Sequence, residues 1–128
     1  MSIEIISITR QQFVELLARE EGHFLDFKSK AIAAAKITKT LSAFANADGG
    51  ELFLGVVDGA PTAVDRWSGL KNAEDANGHI QAFEQFFPLG TYFRYELLQC
   101  DGLPGLLLHV EILKTPDIRK ASDGRIYL

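Results

Sequence analysis

The sequence has little cysteine and no long uninterrupted apolar stretch. Its one cysteine, Cys100, has no partner for an internal disulfide, and without a CxxC pair the usual zinc and thiol-redox motifs are missing. No apolar run approaches the roughly 18 residues of a membrane span, and the N-terminus lacks the basic start and apolar core of a signal peptide. These absences predict a protein of a reducing, cytoplasmic compartment without membrane association.

Several catalytic motifs are also missing. No GxxxxGK[ST] phosphate loop is present, so nucleotide binding of that kind is not supported. His23, His79 and His109 lack the HExxH spacing of zinc hydrolases, and structural roles are predicted for all three.

The 128 residues contain no repeat, linker or low-complexity segment. We therefore expect one compact domain over residues 1–128. The chain ends on Tyr127 and Leu128, whereas exposed last residues are usually polar, so we expect this domain to be the N-terminal part of a longer protein.

Hydrophobic periodicity predicts an α+β fold, a mixed and mostly antiparallel sheet flanked by two to three helices. Helices are expected at about 10–19, behind a Thr9/Gln12 capping box, and at 32–47 and 73–87. Strands are expected at 23–28, 51–57, 91–100 and 105–113. Residues 126–128 are expected to be the start of a further strand. The turn at 101–104 joins two of them as an antiparallel hairpin. Residues 46–50 (NADGG) suit a glycine helix cap better than a phosphate cradle, because a helix C-terminus disfavours anions.

Charge is distributed unevenly along the chain. The net charge of −4 argues against attraction of nucleic acid to the whole surface. However, residues 27–47 contain four lysines and no acid, and residues 114–125 contain four bases and two acids. These patches are either solubilising or bind a phosphate backbone. The candidate nucleic-acid-binding residues are Lys30, Lys36, Lys39, Arg119, Lys120 and Arg125.

Two charged residues share one face of the predicted strand at 23–28. Asp26 and Lys28 lie opposite Leu25 and Phe27. Many metal-dependent nucleases use an acid-x-lysine arrangement on a strand, in which the carboxylate holds a divalent cation and the lysine stabilises charge on the reacting phosphate. The alternative is a solvated strand face with a weak ion pair.

Longer motifs resemble a known family. The segments EGHFLDFKSK and KTLSAFANADGGELFLGVVDG resemble the AlbA-like domain of the Schlafen family, which shows an acid, Glu-Phe-Lys, a helix ending Ala-Phe-Ala-Asn, Gly-Gly, an apolar strand and Gly-Val-Asp. The later LKTP and DGRIYL are similar to the closing segment of that family. Asp26 stands where the family usually has glutamate, and the chain stops before the arginine and glycine that often follow the last tyrosine.

The resemblance implies an action on nucleic acid. Family members are DNA-binding modules of regulators or, in the Schlafens, metal-dependent endoribonucleases that act on structured RNA such as tRNA. The resemblance assigns Glu21, Asp26 and Asp58 to a three-carboxylate catalytic centre that binds Mg²⁺ or Mn²⁺, with Lys28 assisting.

It also implies assembly, since two such lobes face each other across a basic cleft in animal Schlafens, and a single lobe is therefore expected to form a homodimer. We expect a metal-dependent endonuclease that acts on RNA or DNA. The alternative is a non-catalytic binding or assembly module of a regulator or a defence system.

Overall fold

The computed structural model describes residues 3–19, 24–32, 34–86, 93–113 and 125. In these ranges the chain forms three α-helices, five strands and one short 3-10 helix. In chain order the elements are β1 (Glu4–Ile8), α1 (Arg10–Leu17), β2 (Leu25–Lys28), α2 (Ala34–Asn46), β3 (Gly50–Leu54), the 3-10 helix (Val64–Arg66), α3 (Glu74–Phe86), β4 (Phe93–Cys100) and β5 (Leu107–Ile112). The predicted α+β fold is confirmed. None of the described helices is long and apolar enough to cross a membrane.

The five described strands form one sheet in the order β1-β4-β5-β3-β2. β1 runs parallel to β4, β2 runs parallel to β3, and β5 is antiparallel to both of its neighbours. The sheet is therefore mixed, as predicted, and β4 and β5 are the predicted hairpin. Its turn is closed by a hydrogen bond of 3.0 Å from the Leu103 N–H to the Cys100 carbonyl.

The larger core lies between the sheet and helices α2 and α3. The predicted apolar stripe of α2, formed by Ile37, Leu41 and Phe44, is buried there. Leu52 and Leu54 of β3 face this stripe, and both are completely buried. Burial of this interface fixes α2 over strands β3 and β5.

The opposite face of the sheet is covered by α1 and by the chain around the 3-10 helix. Phe13 of α1 is completely buried and meets Trp67 edge to face, with ring centroids 5.1 Å apart. The Trp67 indole N–H donates to the Pro104 carbonyl at 2.7 Å, which satisfies its polar group. The predicted capping box of α1 is present: the Thr9 hydroxyl accepts from the Gln12 N–H, and the Gln12 side chain accepts from the Thr9 N–H.

Strand β1 was not predicted from the sequence. It pairs with β4 in a parallel register that sets Ile6 opposite Leu98. Its residues, EIISI, are mostly apolar without a clean alternation, and Ile5 is 48% exposed. The strand predicted at 126–128 lies outside the described residues.

The end of α2 is closed by glycine, as the sequence favoured. Gly49 has a φ of 89°, and its N–H donates to the Phe44 carbonyl at 2.9 Å. This positive φ suits glycine, and the bond occupies a carbonyl at the end of the helix. The next residue, Gly50, begins β3 directly against the Phe44 ring.

We expect Gly50→Ala to lower the free energy of unfolding by about 1–3 kcal/mol, the usual cost of overpacking. A Cβ atom at Gly50 would meet the buried Phe44 ring at 2.5 Å. Gly78→Ala is the matched control, because nothing lies within 4 Å of its Cβ position and alanine is favoured over glycine in a helix by about 1 kcal/mol. Urea unfolding followed by circular dichroism measures both variants. An equal stability of the two would contradict the packing of Phe44 on β3.

A network of charged side chains crosses the sheet on the face that carries α1. His109 of β5 approaches Glu96 with Nδ1 at 2.8 Å and Glu51 with Nε2 at 3.0 Å, and its ring stacks on Phe53 with centroids 4.3 Å apart. Glu51 also accepts a hydrogen bond from Arg19. Because both ring nitrogens have carboxylate partners, His109 links β3, β4 and β5, in agreement with the structural role predicted for it.

Two opposing effects act on the pKa of Glu51. Burial alone would raise this pKa, but Arg19 and His109 together outweigh burial and hold the pKa below its ordinary value of 4.5. The stabilisation by ionised Glu51 is therefore complete above pH 4.5 and is lost as the pH falls through the lowered pKa of the folded state.

We expect Glu51→Gln to lower the free energy of unfolding at pH 7 by about 1 kcal/mol, because the variant loses a charge-assisted interaction with Arg19 and His109. The difference from the unmodified protein should shrink as the pH falls below 4.5. Urea unfolding as a function of pH measures this effect. Glu4→Gln serves as the control, since Glu4 is an exposed residue of β1. A difference that stays constant down to acid pH would contradict the lowered pKa.

Candidate functional site

Asp26 and Lys28 lie next to each other on strand β2. Leu25 and Phe27 of the same strand are buried on the α1 face, so Asp26 and Lys28 project to the α2 face. The Lys28 Nζ atom is 3.2 Å from Asp26 Oδ2, and the two side chains are 33% and 18% exposed. The structure thus brings together the two predicted residues of this strand, and solvent reaches both.

Helix α2 adds polar groups to this strand. The Thr40 hydroxyl donates to Asp26 Oδ2 at 3.4 Å. α2 runs antiparallel to β2, because it returns the chain to the start of the parallel strand β3. Lys36 is therefore one helical turn from Thr40 in the direction of Lys28. Lys36 and Lys39 are both exposed. We refer to Asp26, Lys28, Lys36, Lys39 and Thr40 as the β2–α2 edge.

Lys30 follows β2 and is fixed by the backbone of another loop. Its Nζ atom donates to the Gly69 carbonyl at 3.0 Å. This hydrogen bond connects the loop after β2 to the segment that precedes α3. Lys30 is thus oriented toward the start of α3 instead of along the outer surface of α2.

Asp58, the predicted third carboxylate, has a different environment. It is 85% exposed, and its Oδ1 atom is 3.3 Å from Arg66 Nη2. The Arg66 guanidinium also donates to the Val57 carbonyl and lies 5.7 Å from the centroid of the Phe27 ring. Phe27 is on the sheet face opposite Asp26, so the structure does not bring Asp58 to the Asp26–Lys28 pair. The assignment of Asp58 to a catalytic centre stays a prediction.

Other predicted site residues are only partly covered by the structure. Glu21, Arg119 and Lys120 lie outside the described residues, and Arg125 is exposed. Within the described ranges, no group of three or more His, Cys, Asp or Glu side chains is placed to hold a metal ion. The three-carboxylate centre therefore also stays a prediction, and it depends on Glu21.

The fold and this edge define a class: a small α+β domain whose parallel β2–α2–β3 unit presents an acid, a hydroxyl and several lysines on one side. The family model described as Schlafen, AlbA_2 matches residues 21–128. The chain belongs to this family, as the sequence motifs predicted. Strand β1 and helix α1 precede the matched segment.

Two solved structures share the fold. The N-terminal domain of an ATP-dependent DNA helicase RecG-related protein from Nitrosomonas europaea, determined by solution NMR, is similar with a TM-score of 0.65 and 25% identity, over 91% of this chain and 84% of that chain. The DIP2311 protein from Corynebacterium diphtheriae is similar with a TM-score of 0.60 and 17% identity, over 91% of this chain and 28% of that chain. A search of curated proteins gave no match.

We expect Asp58→Asn to change the free energy of unfolding by less than about 1 kcal/mol, because exposed ion pairs contribute little. Arg66→Gln should cost more, since Arg66 also bonds the Val57 carbonyl and covers Phe27. Thermal unfolding of the two variants measures the difference. A large loss in Asp58→Asn would mean that Asp58 is needed for the fold and is not available for another role.

Proposed function

We propose that this domain binds RNA or DNA along the β2–α2 edge and cleaves a phosphodiester bond there with the help of a divalent cation. The observation that carries the proposal is the Asp26–Lys28 pair. A carboxylate and an ammonium 3.2 Å apart, both reachable from solvent, combine a group that attracts a cation with a group that attracts a phosphate.

Nucleic acid as the partner is supported by family membership and by one structural relative. The Nitrosomonas europaea protein is named for a relation to a DNA helicase. The charge of the edge agrees, because Lys36 and Lys39 are exposed on a helix that contains no acidic residue. Phosphate backbones are bound mainly by such lysines, whatever the base sequence.

The residues that would hold Mg²⁺ or Mn²⁺ are Asp26 and Glu21. Their carboxylate oxygens are the ligands that these hard cations prefer. When bound, the cation would polarise the phosphate and favour ionisation of an attacking water molecule. Asp58 is paired with Arg66 and lies away from Asp26, so it is not one of the residues that hold the cation in this proposal.

Two side chains of the described edge have roles of their own. Lys28, beside the carboxylate, would bind a phosphate oxygen and stabilise the negative charge that grows during cleavage. Thr40 donates to Asp26 from a helix that is packed on the sheet, and so holds the carboxylate in position. Thr40 is therefore a positioning residue in this proposal.

The second candidate is a binding module without catalysis, attached to a regulator or a defence system. It is favoured by one observation: Asp58, the predicted third carboxylate, is paired with Arg66 and lies away from the Asp26–Lys28 pair. In this case Asp26 and Lys28 form a structural ion pair, and the lysines of α2 alone bind the phosphate backbone. Under either candidate we propose a homodimer that combines two such edges in one groove.

We expect the purified protein to cut tRNA, ribosomal RNA or DNA in Mn²⁺ or Mg²⁺ and to be inactive with a chelator. Asp26→Asn should reduce the cleavage rate by at least about a hundredfold, the usual effect of removing a group that acts on the transition state. Lys28→Gln should reduce both cleavage and affinity. The exposed Glu4 on β1 provides the matched control, Glu4→Gln, which should keep full activity.

Gel assays with end-labelled substrates measure cleavage, and fluorescence anisotropy measures affinity. Cleavage that survives in Asp26→Asn would overturn the catalytic proposal. Binding without any cleavage, unchanged in Asp26→Asn, would select the binding module. Absence of binding even at low salt would overturn both candidates.

A further inference from the structure

We propose that a cavity at the end of the β2–α2 edge binds one phosphate group of a nucleic-acid strand. The cavity has a volume of about 250 Å³ and is lined by Lys30, Leu70, Lys71, Asp75 and His79. This inference rests on the proposed function, because it assigns to the bound strand a second contact outside the Asp26–Lys28 pair.

The position of the cavity agrees with this assignment. β2 and β3 are parallel, so their carboxyl ends lie at the same edge of the sheet, the usual place for ligands in such units. Lys30 is two residues beyond Lys28, and two extended residues span at most about 7 Å. Each strand of duplex DNA advances about 3.4 Å per nucleotide along the helix axis. A phosphate in the cavity would therefore lie one or two nucleotides from a phosphate at Lys28.

The charges around the cavity favour an anion. Lys30 and Lys71 contribute two ammonium groups, and Asp75 contributes the one carboxylate among the lining residues. His79 is half-buried, and burial lowers its pKa, so its ring adds no fixed positive charge at neutral pH. Two cations against one anion leave an excess of positive charge for the ligand.

Hydrogen bonds fix the Lys30 side chain and the backbone next to Lys71. The Lys30 ammonium gives one hydrogen to the Gly69 carbonyl at 3.0 Å and keeps two for phosphate oxygens. Leu70 exchanges two backbone hydrogen bonds with Leu106, which holds the segment that carries Lys71 against the chain before β5. A Cβ at Gly69 would meet the Leu106 nitrogen at 2.6 Å, so this approach requires glycine. Because these groups are already held in place, phosphate binding costs less conformational entropy.

The size of the cavity limits what it holds. Sites for drug-sized molecules usually measure about 300–1,000 Å³. A volume of about 250 Å³ accommodates a phosphate group better than a whole nucleotide with its base. The phosphate can come from inside a strand or from its 5′ end, and both offer the same oxygens to the two lysines.

The test compares Lys71→Gln with Arg94→Gln in binding to single-stranded RNA and DNA oligonucleotides. Each variant removes one positive charge from an exposed residue, but Arg94 lies on β4 on the opposite sheet face. Lys71→Gln should weaken binding by roughly tenfold, as expected for one charge-assisted hydrogen bond, and should reduce the slope of log affinity against log salt by about 0.7. Arg94→Gln should stay within about twofold of the unmodified protein, since its charge is screened at this distance.

Oligonucleotides with a 5′ phosphate and with a 5′ hydroxyl separate the two sources. If Lys71→Gln removes a preference for the phosphorylated end, the cavity holds a terminal phosphate; if it weakens both equally, the cavity holds an internal one. Equal affinities of Lys71→Gln and Arg94→Gln, for a protein that does bind nucleic acid, would overturn the cavity assignment and leave the proposed function intact.

A direct measurement covers the case in which the protein binds no nucleic acid and the proposed function fails. Inorganic phosphate is added to the protein, and the ring signals of His79 are followed by NMR across a pH titration. A phosphate in the cavity should shift these signals and raise the pKa of His79, and Lys71→Gln should abolish the shift. Unchanged His79 signals at millimolar phosphate would overturn the inference by themselves.

Discussion

The fold depends on the two-sided pairing of β3. This strand bonds to β2 on one side and to β5 on the other, and its side chains enter both cores, with Leu52 under α2 and Phe53 under the opposite layer. Asp26 is paired in register with Leu52. β3 cannot shift without disrupting both cores. Because β2 is paired with β3, the Asp26–Lys28 pair on this short outer strand is held in a fixed place.

The elements with a strong local pattern were the ones that the sequence predicted. The apolar stripe of α2, the apolar strand β3 and the β4–β5 hairpin each have a pattern that can be recognised within one continuous segment of the sequence. β1 was missed because EIISI shows no clean alternation and its partner is distant in the chain. Parallel pairing has no turn to mark it, so neither the β1–β4 nor the β2–β3 register can be read from one segment.

The same distinction applies to the candidate site. The common face of Asp26 and Lys28 follows from the two-residue period of a strand, and the sequence was sufficient to find it. The Thr40 contact depends on the register of a helix over a strand, and the Asp58–Arg66 pair depends on the path of a loop; neither has a local pattern. The position of Lys71 is a further example, because it is set by the backbone hydrogen bonds between Leu70 and Leu106.

The β1–β4 pairing also has a consequence for the order in which the molecule is assembled. The Ser7–Gln99 hydrogen bond joins residues 92 positions apart, so β1 has no partner in the sheet until β4 is made. At usual synthesis rates this interval is on the order of 5–20 s. During most of that time Phe13 also lacks the Trp67 ring that it contacts in the folded protein. β1 can therefore enter the sheet only after most of the described chain has been synthesised.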